Sequence, residues 1–149
     1  MLSVLATEYK LLWMPNEVIN IIMITNFLII NCIGKNDKIG LCINGNFYIH
    51  KLDYKVNKKD QLVSNILNLV KKYKVNLDNK FSIIVNVGPG SFSSIRTSLS
   101  IVKGMKLSKK INIYGFKNSD LKQFDLANIE LLICKDLLQN KLIKPIYLS

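Results

Sequence analysis

The sequence predicts a mixed α/β fold, in which an antiparallel meander of three short strands is followed by alternating helices and strands. Three observations carry that expectation. Apolar, β-branched runs of strand length recur along the chain, separated by turn chemistry. Asn44-Gly45, the strongest short hairpin signal in the sequence, joins two of them. The stretch 81–105, FSIIVNVGPGSFSSIRTSLSIVKGM, changes from strand composition to helical spacing across a glycine-containing turn.

Taken in order, residues 1–22 lack the basic start of a signal peptide, and Glu8 and Lys10 interrupt their apolar part. The run 18–30 is short and broken by Asn20 and Asn26, so it does not read as a membrane span. Pro15 permits a short helix after it. Residues 27–32 read as a buried strand, and Gly34-Lys35-Asn36-Asp37 as a turn. Strands 39–43 and 47–52 complete the meander. A helix is expected over 60–73. Its apolar positions Leu62, Val63, Ile66, Leu67, Leu69 and Val70 spread beyond one stripe, which implies burial on more than one side. Strand 81–87, helix 91–107 and strand 111–115 follow. The remainder offers a helical stretch at 119–126, an apolar run at 129–134 and a short segment to 141.

The organising stretch is strand, turn and helix. Gly88 and Gly90 let the backbone turn sharply around Pro89. Ser91 is placed to cap the helix, and Phe92, Ile95, Leu99 and Val102 form its apolar stripe. Arg96 is the sole arginine in a chain with 21 Lys+Arg. In a sequence that otherwise uses lysine, an arginine points to a need for a planar, multi-donor fork; chance survival is the competing reading. Ser93, Ser94, Thr97, Ser98, Ser100 and Gly104 keep the helix thin. Either it packs closely on its own sheet or it offers a second contact surface, and the second reading is preferred because the apolar stripe already serves the sheet.

At 149 residues and 49% hydrophobic content the chain is a single domain with a real core, not a disordered one. The formal charge of +11 would suit a nucleic-acid partner. The lysines are scattered, however, with short pairs at Lys58-Lys59, Lys71-Lys72 and Lys109-Lys110, so a solvated surface is the first reading and a diffuse nucleic-acid-facing patch the second. Cys32, Cys42 and Cys134 are odd in number, lack metal-ligand spacing and sit in apolar runs. They are expected to be reduced core residues of a cytoplasmic protein, with no metal site. His50 falls on a strand face. Gly90-Ser91-Phe92 resembles a nucleophile elbow only in part, because Ser93 stands where the elbow needs glycine and no base–acid pair accompanies it. No catalytic residue and no cofactor is therefore expected. Phosphate binding by outward loop N–H groups at the helix N-terminus is the minor alternative.

Gly88-Pro89-Gly90-Ser91-Phe92-Ser93-Ser94-Ile95-Arg96 resembles the GPGSFTGLR signature of the TsaB (YeaZ) family. Those proteins are the non-catalytic subunit of the bacterial machinery that places threonylcarbamoyl on the adenosine next to the anticodon of certain tRNAs. The resemblance implies an actin/Hsp70-like (ribonuclease H-like) ATPase-type lobe, β-β-β-α-β-α-β, with a reduced second lobe. It divides the chain into an N-terminal extension 1–22, a first lobe 23–116 and a remnant 117–149. Family chains begin near Met23, which makes 1–22 an added arm or an upstream start. The closing Pro145-Ile146-Tyr147-Leu148-Ser149 is similar to the family's Pro-x-Tyr-Leu-Arg, with Ser149 replacing arginine.

The chain also departs from the pattern. Asn31-Cys32-Ile33 stands where the family has Asp-Thr-Ser, so the charge that helps nucleotide-binding relatives hold metal and phosphates is missing. Ser93-Ser94 replaces Thr-Gly, and Lys59-Asp60-Gln61 precedes the first long helix where the family often has His or Glu-Ser. The resemblance implies a partner interface on the two helices, built from Leu62, Ile66, Leu69, Ser94, Ile95, Arg96, Ser98, Leu99 and Val102. Its partner would be a TsaD-type threonylcarbamoyltransferase in a heterodimer, with a TsaE-type ATPase and tRNA reached through the complex. The same helices would serve a homodimer without that partner. The alternative function is a nucleotide- or tRNA-binding actin-like domain lacking this partner.

Overall fold

A computed structural model of the chain describes residues 24–53, 58–140 and 143–147. The expected arm 1–22, the helix after Pro15, Met23 and the last two residues of the closing motif lie outside the described residues. The elements are β1 (Phe27–Asn31), β2 (Lys38–Ile43), β3 (Asn46–Lys51), α1 (Lys58–Lys72), β4 (Ser82–Asn86), α2 (Phe92–Lys109), β5 (Asn112–Phe116), a 3-10 turn (Asn118–Asp120) and α3 (Leu126–Cys134).

The five strands form one sheet in the order β3-β2-β1-β4-β5. β1, β2 and β3 are antiparallel, as hairpin-linked strands must be, with Ile29 opposite Gly40 and Leu41 opposite Tyr48. Asn44 and Gly45 both take positive φ, 52° and 83°, as the tight hairpin between β2 and β3 requires. The turn from β1 to β2 is closed by Asp37, whose carboxylate accepts the N–H groups of Ile33 and Gly34 at 3.0 Å each. β1–β4 and β4–β5 are parallel, because α1 and α2 carry the chain back between successive strands.

Alternation along the strands divides the core into two layers. Leu28, Ile30, Ile83 and Val85 face α1 and α2, meeting Leu62, Ile66, Ile95, Leu99 and Val102. Phe27, Ile29, Ile84 and Phe116 face the other way, where Ile129, Leu132 and Ile133 of α3 cover them. The sheet is thus sandwiched between helices.

One expected element is displaced. The helix expected over 119–126 is instead a 3-10 turn and an irregular loop as far as Asp125, and the helix begins at Leu126. Asp125 decides the boundary: its carboxylate accepts the N–H of Asn128 at 2.8 Å and caps α3. Within the apolar run expected at 129–134, Ile129, Leu132 and Ile133 form the buried stripe of that helix, spaced i, i+3, i+4. Leu131 is exposed, and so is Cys134, which corrects its expected place in the core, whereas Cys32 and Cys42 are buried.

Candidate functional site

The turn at 88–91 leaves the C-terminal end of β4, and every surrounding segment holds it. Gly88 lies at φ 105° and precedes a cis bond to Pro89. Its N–H donates to Asn86 Oδ1 at 2.8 Å, and its carbonyl accepts from Asn118 N at 2.8 Å. A Cβ at Gly88 would strike the backbone carbonyl of Ile146 and, at 2.7 Å, Ile95 Cδ1. A Cβ at Gly90 would meet the carbonyl of Ile33 at 2.8 Å. The N–H of Ser91 donates to that same carbonyl at 2.9 Å. From the far end of the chain, Ile146 donates its N–H to Val87 O at 2.6 Å, and Tyr147 bridges to Gly90 in parallel.

Ser91 caps α2. Its hydroxyl oxygen accepts Ser94 N at 3.3 Å and its carbonyl accepts Ile95 N at 3.1 Å. Of the loop N–H groups expected to face outward for a phosphate, those of Gly88 and Ser91 are instead satisfied inside the fold, and Pro89 has none.

Beside the turn, three asparagines meet where the parallel strands end. The Asn86 amide nitrogen donates to Asn31 Oδ1 at 2.6 Å and to Asn118 Oδ1 at 3.1 Å, while its oxygen holds Gly88 N–H. Asn86 is buried. These residues do not fit a divalent metal or the phosphates of a nucleotide. They carry no negative charge to hold the cation that would bridge to phosphates, and the central amide has both its N–H donors committed to its neighbours. Among the described residues, no three His, Cys, Asp or Glu side chains come together as metal ligands would.

The structure sorts the nine expected interface residues into two groups. Leu62, Ile66, Ile95, Ser98, Leu99 and Val102 are buried in the core beneath the helices, and Ser98 donates its hydroxyl to Ser94 O at 3.0 Å. Leu69 and Ser94 are half-buried, and Arg96 is exposed. The six buried side chains are therefore fold residues that no partner can reach in this conformation. The outward face keeps Arg96 of the nine and otherwise belongs to other positions. Val63, Phe92, Ser93, Arg96, Thr97, Ser100 and Ile101 line a groove of about 620 Å³ between α1 and α2. Val63 is 39% exposed, Phe92 55%, and Leu67, one turn along from Val63, 56%. The small residues Ser93, Thr97 and Ser100 keep that groove open.

Arg96 does not reach the turn. Its guanidinium lies 5.7 Å from the centre of the Phe92 ring, and Phe92 in turn packs on Tyr147 with 4.7 Å between ring centres. Among the described residues Arg96 has no hydrogen-bond or ion-pair partner, so its fork of donors faces solvent at the rim of the groove. Sequence reasoning missed Val63 and Leu67 as outward residues, the Asn31–Asn86–Asn118 cluster and the Tyr147 contact. The full apolar breadth of α1 was the signal available for the first of these.

Two shifted groups lie away from the site, in the sheet layer. Burial pushes the Cys42 thiol up, Glu130 adds to the push, and a hydrogen bond from the Gly45 backbone opposes it. Burial likewise raises the Tyr114 phenol.

The strand order, the meander and the two crossover helices define a ribonuclease H-like, actin-like lobe. No protein-family model matches the sequence, and no curated protein matches it. Among solved structures, YeaZ from Pseudomonas aeruginosa is similar to this chain, with a TM-score of 0.57 at 18% identity over 65% of this chain and 45% of that one. An uncharacterized protein with similarity to peptidase YEAZ from Pseudomonas aeruginosa gives a TM-score of 0.55 at 18% identity, over 65% of this chain and 44% of that one. The chain thus spans less than half the length of these neighbours, and the likeness is one of fold. Among the described residues no helix is long and apolar enough to cross a membrane.

Proposed function

We propose that this chain is a TsaB-like, non-catalytic subunit in tRNA threonylcarbamoyladenosine formation, docking and activating a TsaD-type threonylcarbamoyltransferase in the cytoplasm. The observation that carries this reading is the α1–α2 face. Val63 and Phe92 stand out at one groove with Arg96 at its rim, Leu67 is exposed one turn along from Val63, and the half-buried Ile101 lines the groove while packing on the core beneath. Exposed apolar residues gathered on one helix pair are a protein-contact signal rather than a solvated surface. The signature turn fixes the start of α2 and hence the position of that face. The YeaZ-like fold supports the same reading, as does the absence of charge in the asparagine cluster, which suits a subunit without nucleotide chemistry of its own.

The test is co-purification with the TsaD-type protein of the same organism, sized by light scattering. The variant Val63→Glu with Ser100→Arg alters only outward positions, so its circular dichroism should match the wild type. The expected result is a heterodimer with the wild-type chain that the variant abolishes. A well-folded wild type that forms no complex would leave the fold without this role.

A further inference from the structure

We propose that the edge of the sheet opposite the signature turn binds nucleic acid, gripping the phosphates of an RNA strand. The inference does not rest on the partner reading, since the two sites lie at opposite ends of the parallel strands.

Topology gathers this edge. α1 and α2 each lead into a parallel strand, so both helix C-termini and the starts of β4 and β5 share one end of the sheet. Asn112 fastens the two loops together, donating its side-chain amide to Asn79 O at 2.7 Å and its N–H to Phe81 O at 3.1 Å. The β2–β3 hairpin joins the same end, because Cys42 pairs with Phe27 at the start of β1.

Lys71, Lys72, Lys74, Lys80, Lys109 and Lys110 are all exposed here. Asp78 is the one acidic residue in the segments 71–81 and 106–112, and its carboxylate accepts the N–H of Lys80 at 2.9 Å. A helix dipole favours lysine in a last turn, which accounts for Lys71, Lys72 and Lys109. It does not account for Lys74, Lys80 and Lys110, which lie beyond the helices. Lys74 and Lys110 sit in the left-handed region, at φ 51° and 56°. Glycine or asparagine is the usual residue at such a position, because a side chain there crowds the backbone. In a chain this rich in asparagine, both helices close with the less suitable residue, and that residue is positively charged.

Beside Lys74 and Lys80 lies a concavity of about 410 Å³ whose lining also holds Asn26, Asn44, Asn76 and Asp78, the carboxylate of the last accepting the Lys80 N–H. Neutral amides between cations suit a ribose hydroxyl or a base edge flanked by phosphates. Lys72 also lies 5.3 Å from the Tyr73 ring centre at its rim. An anionic membrane would need apolar anchors instead, and the exposed Leu107 in the last turn of α2 is the reason to test one.

The experiment measures binding of a fluorescein-labelled single-stranded RNA by anisotropy, with phosphatidylcholine–phosphatidylglycerol vesicles assayed in parallel. One variant carries Lys72→Gln, Lys74→Gln, Lys80→Gln and Lys110→Gln. A control of equal charge carries Lys35→Gln, Lys117→Gln, Lys122→Gln and Lys135→Gln, at exposed positions elsewhere. The edge variant should lose roughly tenfold or more in RNA affinity at about 0.1 M salt, with a salt slope shallower by about 0.7 per phosphate contact removed. The control should change by less than about threefold if the edge, not net charge, binds. Lys74→Asn with Lys110→Asn should weaken RNA binding while leaving thermal stability equal or higher. Equal losses in both quadruple variants, no RNA binding by the wild type, or binding to vesicles but not RNA would each overturn the proposal.

Discussion

A side chain at position 88 has nowhere to go. Gly88 combines a left-handed backbone with the Ile146 carbonyl in the space a Cβ would take. Gly88→Ala should therefore cost at least about 2 kcal/mol in a urea melt, more than the left-handed strain alone. Asn86 supports the same turn from below. Asn86→Ala leaves the Gly88 N–H buried without its acceptor, and should cost about 1–3 kcal/mol. Cys42 gives a pH signature. Its folded-state thiol is raised above the ordinary 9.0, so the unfolded chain releases that proton first. The stability this contributes is complete below pH 9.0 and is lost as pH rises through the folded value; Tyr114 acts in the same direction from 10.0. Unfolding free energy should fall above that point, and Cys42→Ala should flatten part of the slope. At this scale the sequence was half readable. The Ser91 cap and the Asn44-Gly45 hairpin follow from local chemistry. The asparagine cluster does not, because Asn86 reaches partners 55 and 32 residues away in a chain where asparagine is common.

The two helices show why a periodic pattern can place an element and still leave its facing open. On α1, Leu62 and Ile66 turn inward while Val63 and Leu67, one position on, turn outward. Both pairs are apolar at i, i+4 spacing, so only packing against Leu28, Ile30 and their neighbours decides between them. The distinction is testable. Ile95→Asp with Leu99→Asp places two unpaired charges in a dry layer, and should cost more than about 4 kcal/mol, enough to unfold a domain of this size. Val63→Glu with Ser100→Arg should leave the melting temperature within a few degrees of wild type, because surface changes rarely exceed about 0.5 kcal/mol. Differential scanning fluorimetry of the two pairs reads both outcomes. The third helix was misplaced at 119–126 because Leu121, Phe124 and Leu126 supply apolar residues without a cap, whereas Asp125, one residue before that pattern ends, caps a helix that starts at Leu126.

Across the whole molecule the element order β-β-β-α-β-α-β was legible, because strand and helix periods alternate cleanly between turn signals. The closing segment was not legible as a structural part. Ile143 is buried against Gly115, Ile146 bonds to Val87, and Tyr147 packs on Phe92, so residues near 145 complete a site begun near 88. A chain stopped after Asn140 loses those contacts. It should lose about 2–4 kcal/mol in stability, and its signature turn should exchange amide hydrogens faster than the strands of the sheet. This closure spans about sixty residues of chain, which makes it a late and entropically demanding contact. The strands and both crossover helices emerge from a ribosome before the segment that latches the turn. An unfinished chain therefore carries the helix pair with its leading turn still unlatched, and the signature acquires its final shape only when synthesis has passed Tyr147.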